Sequence, residues 1–337
     1  MKKNGFIGFF TLSLCLLSLS LASCGGKKDA NGWYTNFDDA KKAAMAKNKS
    51  IVLFVNSIYD DESTADGVKL LTQTNEFTRA VSEDFVCLHF DFTTIPEIMG
   101  KSMEGLTGKE QKELEKKQRA LKEQFAYADM YAVRDTPACV ILSKEGFYIT
   151  QVNFDYLDTS ISGYKSCLYL EIGTVEDFDA LLKKARKGSV TERMAAYDEL
   201  YGSVEEMVQP AMIALWKEAV KADKNNVTGS VGKFIMTSAS VDAYEKISER
   251  KFEDGANVYQ KYAEDSRLSA DEKQTLLFYA AQVLLTSGST QYDKIALILQ
   301  SAIDASPESQ YAETLKSYLS EMADDKSAED KSRENEK

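Results

Sequence analysis

The pattern of apolar and polar positions changes character twice along the chain. Residues 6 to 21 are almost purely apolar, residues 33 to about 187 alternate helical periods with short continuous apolar runs, and residues 190 to 323 are helical in period almost throughout. In the middle region, apolar positions at Phe37, Ala40, Ala44 and Met45 predict an amphipathic helix over Asn36 to Lys47. The run Ile51-Val52-Leu53-Phe54-Val55 then predicts a strand, Ser50 to Asn56, buried on both faces. A helix from about Thr64 to Val81 leads to a second such strand, Phe85 to Phe92, and this strand, helix, strand order is a right-handed crossover. A charged helical insertion, Thr107 to Tyr131, precedes a Thr-Pro strand segment, Val133 to Leu142. A turn at Lys144-Glu145-Gly146, a strand Phe147 to Phe154, an irregular stretch Ser160 to Tyr169 and a helix Val175 to Lys187 complete the region.

In the last region the period places helices near Thr191 to Leu200, Val204 to Ala222, Val231 to Arg250, Phe252 to Glu264, Ala270 to Ser287, Tyr292 to Ala305 and Pro307 to Met322. Connections as short as Asp223 to Thr228 and Ser287 to Thr290 imply antiparallel neighbours. The segment 324–337 is too charged to bury anything and is expected to be disordered.

The first residues read in order as basic (Lys2, Lys3), apolar (Phe6 to Leu21) and small (Ala22, Ser23) before Cys24. That is the order of a cleavable export signal. The apolar run is shorter than the roughly 20 residues a membrane-spanning helix needs. Leu21-Ala22-Ser23-Cys24 resembles the lipobox of bacterial lipoproteins. The resemblance implies removal of residues 1–23, acylation of Cys24 and a soluble remainder tethered through the linker 24–32. The alternative is a plain secretory signal with a chance cysteine. Gly25 is unlike the aspartate that retains some lipoproteins at the inner membrane, so the outer membrane is the preferred site within the cell envelope.

A formal net charge of -12 argues against nucleic acid as a partner, because phosphate recognition needs clustered Lys and Arg. A protein partner fits better. Of the five cysteines, Cys15 would leave with the signal and Cys24 would carry lipid. Cys87, Cys139 and Cys167 remain, enough for one internal disulfide and without the close spacing of a metal or redox motif. The single histidine, His89, falls inside a predicted strand and has no nucleophile paired with it in sequence. No metal or cofactor is expected.

The order helix, strand, helix, strand, helix, Thr136-Pro137 strand, hairpin and strand resembles the thioredoxin superfamily over Trp33 to Lys187, particularly its secreted members that open with a tryptophan and a lysine-rich helix. The resemblance implies an α/β domain over 33–189 with a central mixed sheet flanked by helices. It also implies that Pro137 is a cis-proline facing the site and that Thr136 presents backbone to a bound strand; a trans proline opening an edge strand is the alternative. The family's Cys-x-x-Cys belongs at the turn after the first central strand; counting forward from Phe54 places that turn at Tyr59-Asp60-Asp61-Glu62, or one residue later if the loop is longer, and neither register contains a cysteine. Thiol exchange there is excluded. Asp60, Asp61, Glu62 and Asp66 suit a helix start by capping amides and opposing the dipole. They do not have the spacing of a calcium loop.

Leu277, Ala280, Ala281, Leu284, Gly288, Ala302 and Pro307 resemble one tetratricopeptide repeat, which implies an all-α, repeat-like domain over 190–323. Together these features predict a lipid-anchored envelope protein with a redox-inactive thioredoxin-like domain, acting as a protein-binding scaffold without catalytic residues. The competing expectation is a divergent thiol-disulfide oxidoreductase using one cysteine. Its candidates are Cys139 and Cys167, the latter expected to be the more exposed.

Overall fold

The computed structural model describes residues 26–154 and 159–322. The expected export segment 1–23, Cys24 and the charged tail 324–337 lie outside the described residues. Helix α1 (Phe37–Lys47) starts where the Asn36 side chain accepts the Asp39 N–H at 3.1 Å, and it ends at Asn48, whose left-handed backbone (φ 54°) stops the helix. The chain then enters β1 (Ser50–Ser57).

Strand β1 lies inside a mixed sheet of order β2-β1-β3-β4. It pairs in parallel with β2 (Phe85–Phe92) and antiparallel with β3 (Ala138–Leu142), which pairs antiparallel with β4 (Tyr148–Val152). The apolar run in β1 is continuous because both faces are covered. Val52 and Phe54 enter one core, and Ile51, Leu53 and Val55 enter the other. Residues from α1 and α5 (Gly108–Met130) line the second core, whereas α2 (Ala65–Thr72), α3 (Glu76–Ala80), α6 (Ile161–Leu170) and α7 (Ile172–Ala185) line the first. A short α4 (Ile95–Met99) joins β2 to α5. Outside β2, Tyr34 adds one parallel bridge: its N–H donates to the Cys87 carbonyl at 2.9 Å, and its carbonyl accepts from the His89 N–H at 2.8 Å.

Several expected boundaries move, each for a physical reason. The expected helix Thr64 to Val81 is broken at residues 73–75 into α2 and α3. There Trp33 Nε1 donates to the Leu71 carbonyl (3.1 Å) and Asn31 Nδ2 to the Thr72 carbonyl (2.8 Å). These distant donors satisfy helix-terminal acceptors that no continuing helix supplies. The Ser160 to Tyr169 stretch is helix α6, capped by the Ser160 hydroxyl and held by buried Tyr164 and Leu168. Packing overrides its Ser and Gly content, and Cys167 lies on this helix, half-buried. The segment expected as strand from Val133 becomes strand only from Ala138.

The helical part comprises α8 (Val190–Gly202), a 3-10 helix Glu206–Met212, α9 (Ile213–Ala222), α10 (Val231–Ser248), α11 (Phe252–Ala263), α12 (Ala270–Thr286), α13 (Tyr292–Ala305) and a helical segment 312–322. Pro210 has no N–H to donate, which accounts for a tight 3-10 turn where one long helix was expected. Pro307 does not open the last helix; residues 307–311 form turns first. Capping boxes start α8 (Ser189, Glu192) and α12 (Ser269, Glu272). Gly255 permits close contact between α10 and α11, since a Cβ there would lie 2.7 Å from Ile247 Cγ1. The first core runs without a break from Trp33 into this region as far as Met322. Arg186 adds a polar tie, with a bidentate bond to Glu145 (2.6 and 2.7 Å) and another to Glu218 (both 2.9 Å).

Candidate functional site

The C-terminal end of β1 and the start of β3 meet at one point. Ser57 Oγ lies 2.7 Å from Thr136 Oγ1, and the Thr136-Pro137 bond is cis. The Asp60 carboxylate folds back onto Ser57, accepting its N–H at 3.1 and 3.2 Å and its hydroxyl at 3.3 Å, while the Tyr59 N–H donates to Ser57 Oγ at 3.1 Å. Asp60 therefore closes its own turn. Neither Asp61 nor Thr64 caps the helix that follows through its side chain, so the helix-capping role expected of this acidic run is not seen. Glu62 opens a 3-10 turn, Glu62–Thr64, and Asp66 forms only an exposed pair with Lys69 at 3.4 Å.

Two clefts flank this loop. One, about 570 Å³, lies between Tyr59 and Asp61 on one side and α5 with residues 133–136 on the other. Its wall includes Phe125, whose ring stacks on Phe92 at 4.2 Å between centroids. Tyr59 is 83% exposed and Phe125 41% exposed. The other cleft, about 440 Å³, lies between Asp60, Asp61 and the length of α2 on one side and Asp29, Asn56, His89 and Asp91 on the other.

His89 is buried at the second cleft, with Nε2 2.5 Å from Asn56 Oδ1. Because an amide oxygen only accepts, His89 donates from Nε2. Asn56 Nδ2 passes the interaction to Asp91 at 3.4 Å, and Asp91 also accepts the Thr93 N–H and hydroxyl. Burial holds the imidazole below the ordinary histidine range, against the opposing pull of Asp91 and Asp29. His89 is thus a neutral donor within a core network.

The three described cysteines are in no disulfide. Burial pushes the Cys87 thiol up to about 12. Cys139 is raised by burial first, then by the nearby Cys87 and Cys167. A thiol held protonated is a poor nucleophile. Among the described residues no group of three or more His, Cys, Asp or Glu side chains is placed to hold a metal ion. The arrangement therefore offers hydroxyls, carboxylates, exposed aromatic rings and unpaired backbone. Phe92, Phe125 and Arg134 were not singled out from the sequence. Their one visible signal was Phe125, an aromatic residue on a helix rich in charge.

Residues 230–328 match a family described as an uncharacterised protein C-terminal domain, a segment that takes in α10 to α13 and the helical residues 312–322. An uncharacterised protein of Treponema pallidum (strain Nichols) is 30% identical over 112 residues, 32% of this chain and 37% of that protein. The chain thus spans little more than a third of the length of the curated relative it matches. No solved structure matches the chain. No helix among the described residues is long and apolar enough to cross a membrane.

Proposed function

We propose that the chain is a lipid-anchored cell-envelope protein whose N-terminal part is a redox-inactive thioredoxin-like domain and whose C-terminal part is a tetratricopeptide-like stack, together serving as a scaffold that binds another polypeptide. The sheet order β2-β1-β3-β4, with Tyr34 bridging in parallel outside β2, supports the thioredoxin-like reading. Consecutive packing of α10 to α13 supports the stacked-helix reading. One observation carries the function: the loop at the end of β1 beside Pro137 presents Tyr59, Asp60, Asp61 and Glu62 where exchange chemistry needs thiols. The buried, protonated Cys87 and Cys139 do not replace them.

The test has two arms. Purified full chain should fail to accelerate insulin reduction by dithiothreitol, and photo-crosslinking in intact cells should capture a protein partner that a Cys139→Ser, Cys167→Ser double variant still captures. Catalytic reduction lost in that variant would establish the oxidoreductase alternative instead. Anchoring is tested separately by metabolic labelling with an alkyne palmitate, which should mark the wild-type chain and not Cys24→Ser. Several acyl chains on one residue suffice for stable attachment, at about 0.8 kcal/mol per buried methylene.

A further inference from the structure

Resting on the scaffold reading, we infer that the cleft between the Tyr59 loop and α5 is the docking site and that its occupant is an extended, cationic polypeptide segment with an apolar side chain beside its Lys or Arg. Geometry supplies the first part. The cleft is about 570 Å³, room for a few side chains, and its lining includes exposed Tyr59 on one side and exposed Phe125, stacked on Phe92, on the other. Exposed aromatic rings backed by a rigid layer are the usual anchors of a peptide contact.

Backbone availability supplies the second. Residues Arg134, Asp135 and Thr136 line the cleft outside any helix or strand, and among the described residues their N–H and C=O groups form no backbone hydrogen bond. Backbone groups in that state pair with an added extended segment, which contributes affinity without dictating sequence.

Charge supplies the occupant's sign. Arg134 is neutralised by its pair with Asp129. Asp61 and Asp135, on opposite sides of the cleft, are both exposed and have no ion-pair partner among the described residues. Asp60 and Glu62 add to the same field, within a chain of net charge -12. A cationic side chain laid between Asp61 and Asp135 is attracted by both, whereas an acidic segment is repelled.

A random twelve-residue peptide library selected on the full chain in detergent tests this. Enriched sequences should carry Lys or Arg next to an aromatic or aliphatic residue. Synthetic versions should bind Asp61→Asn, Asp135→Asn double variants at least tenfold more weakly in 50 mM salt, with the difference shrinking in 0.5 M salt. Phe125→Ala should weaken binding without altering its salt dependence. Enrichment of neutral or acidic sequences, binding untouched by all three substitutions, or no enrichment at all would each overturn the inference. If crosslinking in cells still captures a partner in those cases, the scaffold reading survives with a different docking surface. If insulin reduction is catalysed, the scaffold reading itself fails.

Discussion

Ser57 Oγ and Thr136 Oγ1 lie 2.7 Å apart although 79 residues separate them in the chain. This hydroxyl pair ties the loop that leaves β1 to the segment that enters β3, and both walls of the candidate cleft depend on those two segments. Ser57→Ala and Thr136→Val should each cost about 1 kcal/mol, and the double variant should cost less than their sum because either change alone breaks the shared bond. Urea unfolding of the four chains measures this. Additive losses would show that the hydroxyls act independently.

The same region shows what the sequence made legible. The β1 and β2 runs were readable because a strand covered on both faces must be apolar at every position, and they form from Ser50 to Ser57 and from Phe85 to Phe92. The turn at Tyr59 to Glu62 followed by counting on from Phe54. The break between α2 and α3 was hidden because it is accompanied by donors from Asn31 and Trp33, some forty residues upstream. The Phe125 wall was hidden for a similar reason. Nothing local to a charge-rich helix says that Phe125 will stack on Phe92 while Tyr127, two residues on, stacks on Phe37.

Buried His89 makes stability depend on pH near neutrality. Desolvation lowers its folded pKa, so the unfolded chain takes up a proton that the folded chain resists. Stability is therefore full above the ordinary histidine value of about 6.5 and declines as pH falls below it. The urea midpoint of the wild type should drop between pH 7.5 and 5.5, where most carboxylates remain ionised. His89→Gln, which can still donate to Asn56, should flatten that drop. An equal slope in both chains would remove His89 as its source.

Arg186 is expected to matter through its geometry as well as its charge. Its fork holds Glu145 and Glu218 together, joining the β3–β4 turn, the end of α7 and α9. Arg186→Lys keeps the charge and loses the bidentate bond, so about 1 kcal/mol of stability should go at pH 7. The Arg186 hydrogen bond is the main reason Glu145 titrates below the ordinary carboxylate range. Its contribution is present above an unfolded pKa of about 4.3 and is lost as pH falls through the depressed folded value. Glu145→Gln should lower stability at pH 7 and narrow its gap from the wild type below pH of about 4.

Thiol reactivity should follow burial. Cys87 and Cys139 lie inside the first core with raised pKa values, while Cys167 is half-buried on α6. In the folded chain at pH 8, a thiol reagent should modify Cys167 first, with Cys87 and Cys139 following only on unfolding. Mass spectrometry of partly modified protein identifies the site. Rapid modification of Cys139 in the native state would reopen the exchange chemistry that its surroundings oppose.

In the region matched by the C-terminal family, the buried Gln274 closes the end of α13. Its Nε2 donates to the carbonyls of Ala302 (3.1 Å) and Ser306 (2.9 Å), and its Oε1 accepts the Ser309 hydroxyl at 2.5 Å. Ser306 is extended (φ -147°, ψ 77°), so the chain leaves the helix there and the last carbonyls of α13 need donor partners from elsewhere. A side-chain amide on α12 supplies the donor and fixes the turn that carries the chain into helix 312–322. Gln274→Leu keeps roughly the volume and removes every one of those bonds, leaving buried acceptors unsatisfied at about 1–3 kcal/mol. Gln274→Glu restores an acceptor for Ser309 but sets a carboxylate against two carbonyls, and should be no better at neutral pH. Both variants should unfold at lower urea, and hydrogen exchange should show the loss concentrated in α13 and residues 312–322. Protection lost equally from the sheet would mean that the helical end and the sheet unfold as one cooperative unit through their shared core.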